Sequence, residues 1–226
     1  MKYGIILFDA DGTLFDFKKC ERSALSLALS ELSLPNGDLY IERYSEINEL
    51  MWKRLERGEI EKSRLAVERF EVFLNELSLE GDAVRLSELY KARLAEQAYL
   101  IEGAESVLAQ LSADHRLFII TNGIKTVQQG RMSRSPIKKY FEEVFISEEI
   151  GYEKPRREFF DRVASKISDF NPADAIVIGD SLTSDIQGGI NAGIDTCWYN
   201  PQGKSKPDGM DITYTVGDLT EILPIV

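Results

Sequence analysis

The sequence predicts an α/β protein: a doubly wound parallel sheet, with a block of helices inserted after the first strand. Three observations carry this. Short apolar runs, partly β-branched, recur at 5–8, 117–120, 144–146, 175–178 and 196–199. Such runs, with no polar alternation, suit strands buried on both faces, as in a parallel sheet. Helical patterns lie between the later runs, at about 103–112, 124–134, 156–167 and 182–192, which gives the alternation of a parallel α/β core. Residues 17 to about 100 break the rhythm and contain no clear strand.

Taken in order, the first run ends at Asp9-Ala10-Asp11. The inserted block follows. Tyr40, Tyr44, Ile47, Met51 and Leu55 step by three or four, as do Ala66, Phe70, Phe73 and Leu77, and then Leu86, Tyr90 and Leu94. These are the buried faces of amphipathic helices. Pro35-Asn36-Gly37-Asp38, Arg57-Gly58-Glu59 and Glu80-Gly81-Asp82 separate them. The expected division is therefore residues 1–16 and 101–226 for the Rossmann-like core and 17–100 for the helical insert. Later runs end at Thr121-Asn122-Gly123, Ser147-Glu148-Glu149 and Gly179-Asp180-Ser181. Ligands of open parallel sheets bind beyond the carboxyl ends of the strands, near a topological switch point. Three of these four polar clusters are expected to converge there.

Composition excludes several function classes. The 226 residues carry 27 Lys plus Arg against 38 Asp plus Glu, a net charge of −11. That argues against binding polymeric nucleic acid, which needs many cations on the phosphates. It leaves room for a small anion, because a bound cation reverses the local field. His115 is the single histidine, and Cys20 and Cys197 are the two cysteines. Cys/His zinc sites and Ser-His-Asp chemistry are thereby disfavoured. His115 reads as a solvated loop residue, and the cysteines as free thiols of a reducing, cytoplasmic protein. No apolar run reaches the ~18 residues a membrane span needs. The N-terminal apolar stretch is too short for a signal peptide.

The sharpest local signal is Phe8-Asp9-Ala10-Asp11-Gly12-Thr13-Leu14-Phe15. Two carboxylates leave the end of a buried strand, and a glycine turns the chain at once. A calcium loop of the EF-hand kind would need a preceding helix and a glutamate at its twelfth position, where Cys20 stands. Together with Thr121-Asn122-Gly123, Lys154-Pro155 and Gly179-Asp180-Ser181-Leu182-Thr183-Ser184-Asp185, this run resembles the haloacid dehalogenase superfamily. The four pieces stand in that family's motif order and span the chain. The helical insert is similar to the α-helical C1 cap of one of its subclasses. Each piece has a plainer reading: Thr121 and Asn122 as a helix cap, Lys154-Pro155 as a surface turn, Asp180 and Asp185 as helix N-terminal charges. The ordered set argues against four such coincidences.

The resemblance implies a magnesium-dependent phosphomonoester hydrolase. Asp9 would attack phosphorus and form an aspartyl-phosphate. Asp11 would protonate the leaving oxygen and then activate water. Magnesium would be held by Asp9, the Asp11 carbonyl and Asp180, with Asp185 supporting its water shell. Thr121, Asn122 and Lys154 would bind the phosphate. An aspartate at position 11 is similar to the phosphatases and phosphomutases of the superfamily, not to its dehalogenases.

The stretches 8–17, 58–60 with Arg69-Phe70, and 179–200 look like the bacterial house-cleaning pyrimidine 5′-nucleotidases. The implied substrate is a small phosphorylated metabolite, a nucleoside 5′-monophosphate. A sugar-phosphate phosphatase or phosphomutase, or a catalytically silent binding module, are the alternatives. Trp52, one step off the apolar stripe of its helix, is the candidate selectivity residue; Tyr44 belongs to that stripe. Gly188, Gly189 and Gly193 are expected to let their helix sit close to the sheet. Arg131, Arg134, Lys138 and Lys139 read as one solvated basic face. Oligomeric state is left open.

Overall fold

The computed structural model describes residues 2–226. Its centre is a six-stranded, all-parallel sheet in the order β3-β2-β1-β4-β5-β6. The strands are β1 (Ile5–Phe8), β2 (Arg116–Thr121), β3 (Glu143–Ile146), β4 (Ala175–Gly179), β5 (Asp195–Tyr199) and β6 (Tyr214–Val216). Side chains alternate across the sheet. Ile6, Phe8, Ile119, Ile176 and Ile178 pack on one face with Val107, Leu108 and Leu111 of helix α5 (Ala104–Leu111). Ile5, Leu7, Phe118, Ile120 and Val177 pack on the other. Their partners there are Phe159, Phe160 and Val163 of α8 (Arg157–Lys166). Both faces are covered, which is why these strands read as unbroken apolar runs.

β6 is the strand that the runs did not announce. It has three residues and only one, Val216, is buried. Reciprocal bonds between Thr196 and Thr213 help hold this edge: each residue's amide donates to the other's hydroxyl.

Between β1 and α5 lie four helices: α1 (Phe17–Glu31), α2 (Asp38–Glu56), α3 (Lys62–Glu76) and α4 (Ala83–Leu94). They enclose an apolar cluster of their own, in which Tyr44 stacks on Phe70 with ring centroids 5.0 Å apart. Asp16 and Asp82 start α1 and α4 by accepting main-chain amides. The chain crosses from sheet to bundle twice, and the crossings pair: Asp16 N–H donates to Tyr99 O and Ile101 N–H to Leu14 O.

The remaining helices are α6 (Lys125–Arg134), the single turn α7 (Ser147–Ile150) and α9 (Gln187–Ala192). A π-turn, Leu182–Ile186, precedes α9. Gly188 and Gly189 are close-packing positions, as expected: an added Cβ would strike the Phe160 ring or Thr196. Gly193 is not, since its Cβ would meet open space; it instead ends α9 in the left-handed region at φ +70°. Among the described residues no helix is long and apolar enough to cross a membrane.

Candidate active site

Strand order reverses between β1 and β4, so the first strand lies between the second and the fourth. Phe8 stands opposite Ile119 on one side and Ile178 on the other. The residues that follow these three strands are therefore forced together at one edge. Asp9 continues the pairing by donating its amide to Ile178 O at 2.8 Å. The backbone then turns at Gly12, whose φ of +94° suits glycine. The turn also needs the space: a Cβ there would lie 2.5 Å from Asp180 Oδ2.

Oxygens of Asp9, Asp180 and Asp185 come within 4.8 Å of one another. Lys154, 1 % exposed, reaches into this cluster. Its Nζ donates to Asp9 Oδ1 at 2.7 Å, Asp185 Oδ1 at 2.7 Å and Ile120 O at 2.8 Å. Asp185 is placed by the π-turn, a geometry that recurs at functional sites. The wider turn lets its Oδ2 accept the Ser181 amide at 3.1 Å. The Thr13 hydroxyl lies 3.4 Å from both Asp9 Oδ2 and Asp180 Oδ1.

The cluster is short of positive charge: three carboxylates face one ammonium. Burial alone would lower the Lys154 pKa, but Asp185 and Asp9 outweigh it and hold the lysine charged. Burial raises Asp9 well above the usual carboxylate range, and Asp185 and Asp180 add to the rise against the pull of Lys154. Burial, then the Asp185 charge, push Asp180 from 3.8 to about 7. Asp180 is exposed at the cleft, so solvent screens part of this rise, whereas Asp9 is buried and is not screened in this way. The donor set is all hard oxygen, and its surplus is negative. Both fit a divalent cation such as magnesium.

A carboxyl whose folded pKa is raised takes up a proton on folding, so it costs stability once pH exceeds its unfolded value. Metal-free protein should lose stability through the buried Asp9, and more weakly through the exposed Asp180, as pH rises above 3.8. Magnesium should flatten that loss by occupying the cluster. Thermal midpoints at about pH 5 and about pH 8, with chelator and with magnesium, check this. An identical pH dependence in both would count against a cation here.

The Thr121 hydroxyl accepts the Gly123 amide at 3.0 Å, which leaves its own proton to donate. Asn122 is expected to offer a phosphate either its side-chain or its main-chain amide. Its side chain is already used on the main chain of Lys154, accepting the amide and donating to the carbonyl, both at 2.9 Å. It positions Lys154, and its main-chain amide is what remains for an anion. Lys154 likewise has its three donors engaged, so a phosphate oxygen would have to replace one partner.

Asp11 is turned away from the acidic cluster and toward α6. Gln128 Nε2 donates to its Oδ2 at 2.5 Å, and Arg131 Nη1 is ion-paired with its Oδ1. This corrects the reading of Arg131 as solvated. It is fully buried, while Arg134, Lys138 and Lys139 are exposed. Residues three apart share a helix face, so Gln128 and Arg131 were a visible polar pair with no visible partner. His115 is also tied more firmly than a loop residue would be: its Nδ1 is bonded to Tyr3 O at 2.7 Å.

A cavity of about 460 Å³ opens between bundle and sheet. Asn122, Lys154 and Pro155 line it from the sheet side, and Glu56, Ile60 and Lys62 from the bundle. Glu56 accepts from Thr183 at 2.7 Å and Lys62 donates to Ser147 at 2.7 Å, so two of the lining residues also bridge from the bundle to the core. Trp52 does not line this cavity; it is half-buried against the bundle's apolar cluster. Trp52→Ala should therefore lower the thermal midpoint and reduce turnover of every substrate together, at a cost of up to ~3–5 kcal/mol for a packed Trp. A raised KM for large substrates alone, with stability kept, would return Trp52 to the binding surface.

Comparison with known proteins places this geometry. The model of the haloacid dehalogenase-like hydrolases matches residues 6–199. The chain is 38% identical to pyrimidine 5′-nucleotidase PynA of Streptococcus pneumoniae, over 99% of this chain and 94% of that one. It is 33% identical to pyrimidine 5′-nucleotidase YjjG of Escherichia coli, over 98% and 97%. The crystal structure of the HAD-hydrolase YfnB of Bacillus subtilis, bound to magnesium, superposes with a TM-score of 0.95 at 35% identity, covering 100% of this chain and 99% of that one. With its motifs at the strand ends and its full length matched, the chain belongs to the haloacid dehalogenase-like hydrolase family.

Proposed function

We propose that the chain is a magnesium-dependent phosphomonoester hydrolase of nucleoside 5′-monophosphates, with pyrimidine nucleotides preferred. The observation that carries the chemistry is the juxtaposition of Asp9, Asp180 and Lys154 at the switch point, with Asp11 two residues beyond the nucleophile. Asp9 and Asp180, with the Asp11 carbonyl, would hold the magnesium, which when bound neutralises the repulsion between a carboxylate and a phosphate dianion. Asp9 attacks phosphorus and the leaving oxygen departs with a proton from Asp11. Asp11 then takes a proton from the water that cleaves the aspartyl-phosphate. Thr121 donates to a phosphate oxygen. Lys154 keeps Asp9 oriented by its Oδ1 and supplies positive charge beside the transferred group. Asp185 keeps Lys154 charged.

The substrate reading rests on PynA and YjjG and on the cavity beneath residues 17–100, which act as a cap. A one-ring base leaves a closed cap water-tight, and a two-ring base props it open. The two buried free thiols suit a reducing cytoplasm. The test is phosphate release from nucleoside 5′-monophosphates, sugar phosphates and phosphoglycolate with magnesium. Pyrimidine 5′-monophosphates should show the highest kcat/KM. Chelation should abolish release, magnesium should restore it, and calcium should restore it poorly. A sugar phosphate favoured over every nucleotide would overturn the nucleotidase reading alone. Full activity after exhaustive chelation would overturn the metal.

A further inference from the structure

We infer that Gln128 and Arg131 are positioning residues for Asp11, holding its carboxylate at rest beside the strand end, from where it exchanges one of these two donors for the leaving oxygen when it acts as the acid. This rests on the acid–base role proposed for Asp11. Both Asp11 oxygens take their donors from α6: Oδ1 from Arg131 Nη1 and Oδ2 from Gln128 Nε2. Two donors on two oxygens fix the carboxylate plane, which one hydrogen bond would leave free to turn.

The donors are themselves held. Arg131 Nε donates to Gln97 O at 3.0 Å, and its Nη2 to Cys20 Sγ at 3.4 Å. Its guanidinium lies over the Phe15 ring, 4.2 Å from the centroid. Phe15 and Gln97 belong to the two crossings between sheet and bundle, and Cys20 to the first turn of α1. One buried cation thus joins Asp11 to both crossings and to the bundle. A buried guanidinium is tolerated only where it is paired, so the carboxylate and the arginine fix each other. Gln128 is 1 % exposed and packs against Gly123, at which a Cβ would collide with its side chain. The loop carrying Thr121 therefore backs the second donor. Neither residue touches the cluster of Asp9, Asp180 and Asp185, so their action runs through Asp11.

The experiment compares the first, phosphorylating step for two leaving groups. A nucleoside 5′-monophosphate expels a basic alkoxide that needs a proton; 4-nitrophenyl phosphate expels a stabilised anion that needs it far less. Rapid-quench measurements follow nucleoside or nitrophenol release in a single turnover with magnesium. The proteins are wild type, Asp11→Asn, Gln128→Leu and Arg131→Lys. Gln128→Leu removes the donor at similar volume, and Arg131→Lys keeps the charge without the fork. Misplacing an acid by a fraction of its reach should slow the nucleotide step about 10- to 100-fold and the aryl step less than about 3-fold. Asp11→Asn should show the same bias more strongly.

If Asp11→Asn shows the bias and the two α6 variants slow both substrates equally or not at all, the positioning inference is overturned while the acid role stands. If Asp11→Asn itself shows no bias, the acid role fails and the inference with it. Should Arg131→Lys not accumulate as folded protein, Gln128→Leu decides.

Discussion

Asp9→Asn is expected to lower phosphate release by at least ~10³-fold, equivalent to ~4 kcal/mol of barrier. The amide keeps the shape of the side chain but is a poor nucleophile and a weak ligand for a cation. Asn at this position still offers an oxygen to Lys154, which lies 2.7 Å from Asp9 Oδ1. One carboxylate fewer also relieves a cluster in which Asp185 and Asp180 already push Asp9 toward its protonated form. The metal-free variant should therefore melt no lower than wild type. Initial rates on a nucleotide, with a thermal midpoint on the same sample, test both halves. Activity within about tenfold of wild type would remove Asp9 from the nucleophile's place.

Lys154→Met should cost both activity and stability, and the pairing of losses separates it from Asp9→Asn. The variant leaves Asp9 and Asp185 buried with no cation between them. Removing one partner of a buried ion pair costs ~3–5 kcal/mol. The loss should be smaller in acid, because a protonated carboxyl needs no counter-ion. Turnover should fall by about 10²- to 10³-fold, since the charge beside the transferred group is gone and Asp9 is no longer oriented. Denaturant unfolding across the acid-to-neutral range, alongside initial rates, checks this. A variant as stable as wild type at neutral pH would mean that Lys154 does not balance the cluster.

Much of the molecule was legible before any coordinates. Both-face burial of a parallel strand forces unbroken apolar runs, so five of the six strands announced themselves. The bundle's helices showed through the three-and-four spacing of Tyr44, Met51, Phe70 and Tyr90, all of which are buried. Asp9, Thr121 and Asp180 stand at strand ends, and a parallel sheet brings such ends together whatever the loops do. Even the five-residue step from Asp180 to Asp185 corresponds to a real turn, the π-turn.

What escaped was whatever depends on packing between elements distant in sequence. β6 is too short and too exposed to carry a pattern of its own; β5 makes it a strand. Trp52 sits on the margin of its helix's apolar stripe, and only the seating of α2 in the bundle decides which way such a residue faces. Arg131 reads in sequence as one cation in a basic run. Its burial follows from α6 lying against both crossings, where Asp11 compensates its charge across 120 residues of chain. Periodicity is local and reports which face of an element is apolar. The partner of a buried charge is set by long-range packing, and no spacing along the chain encodes it.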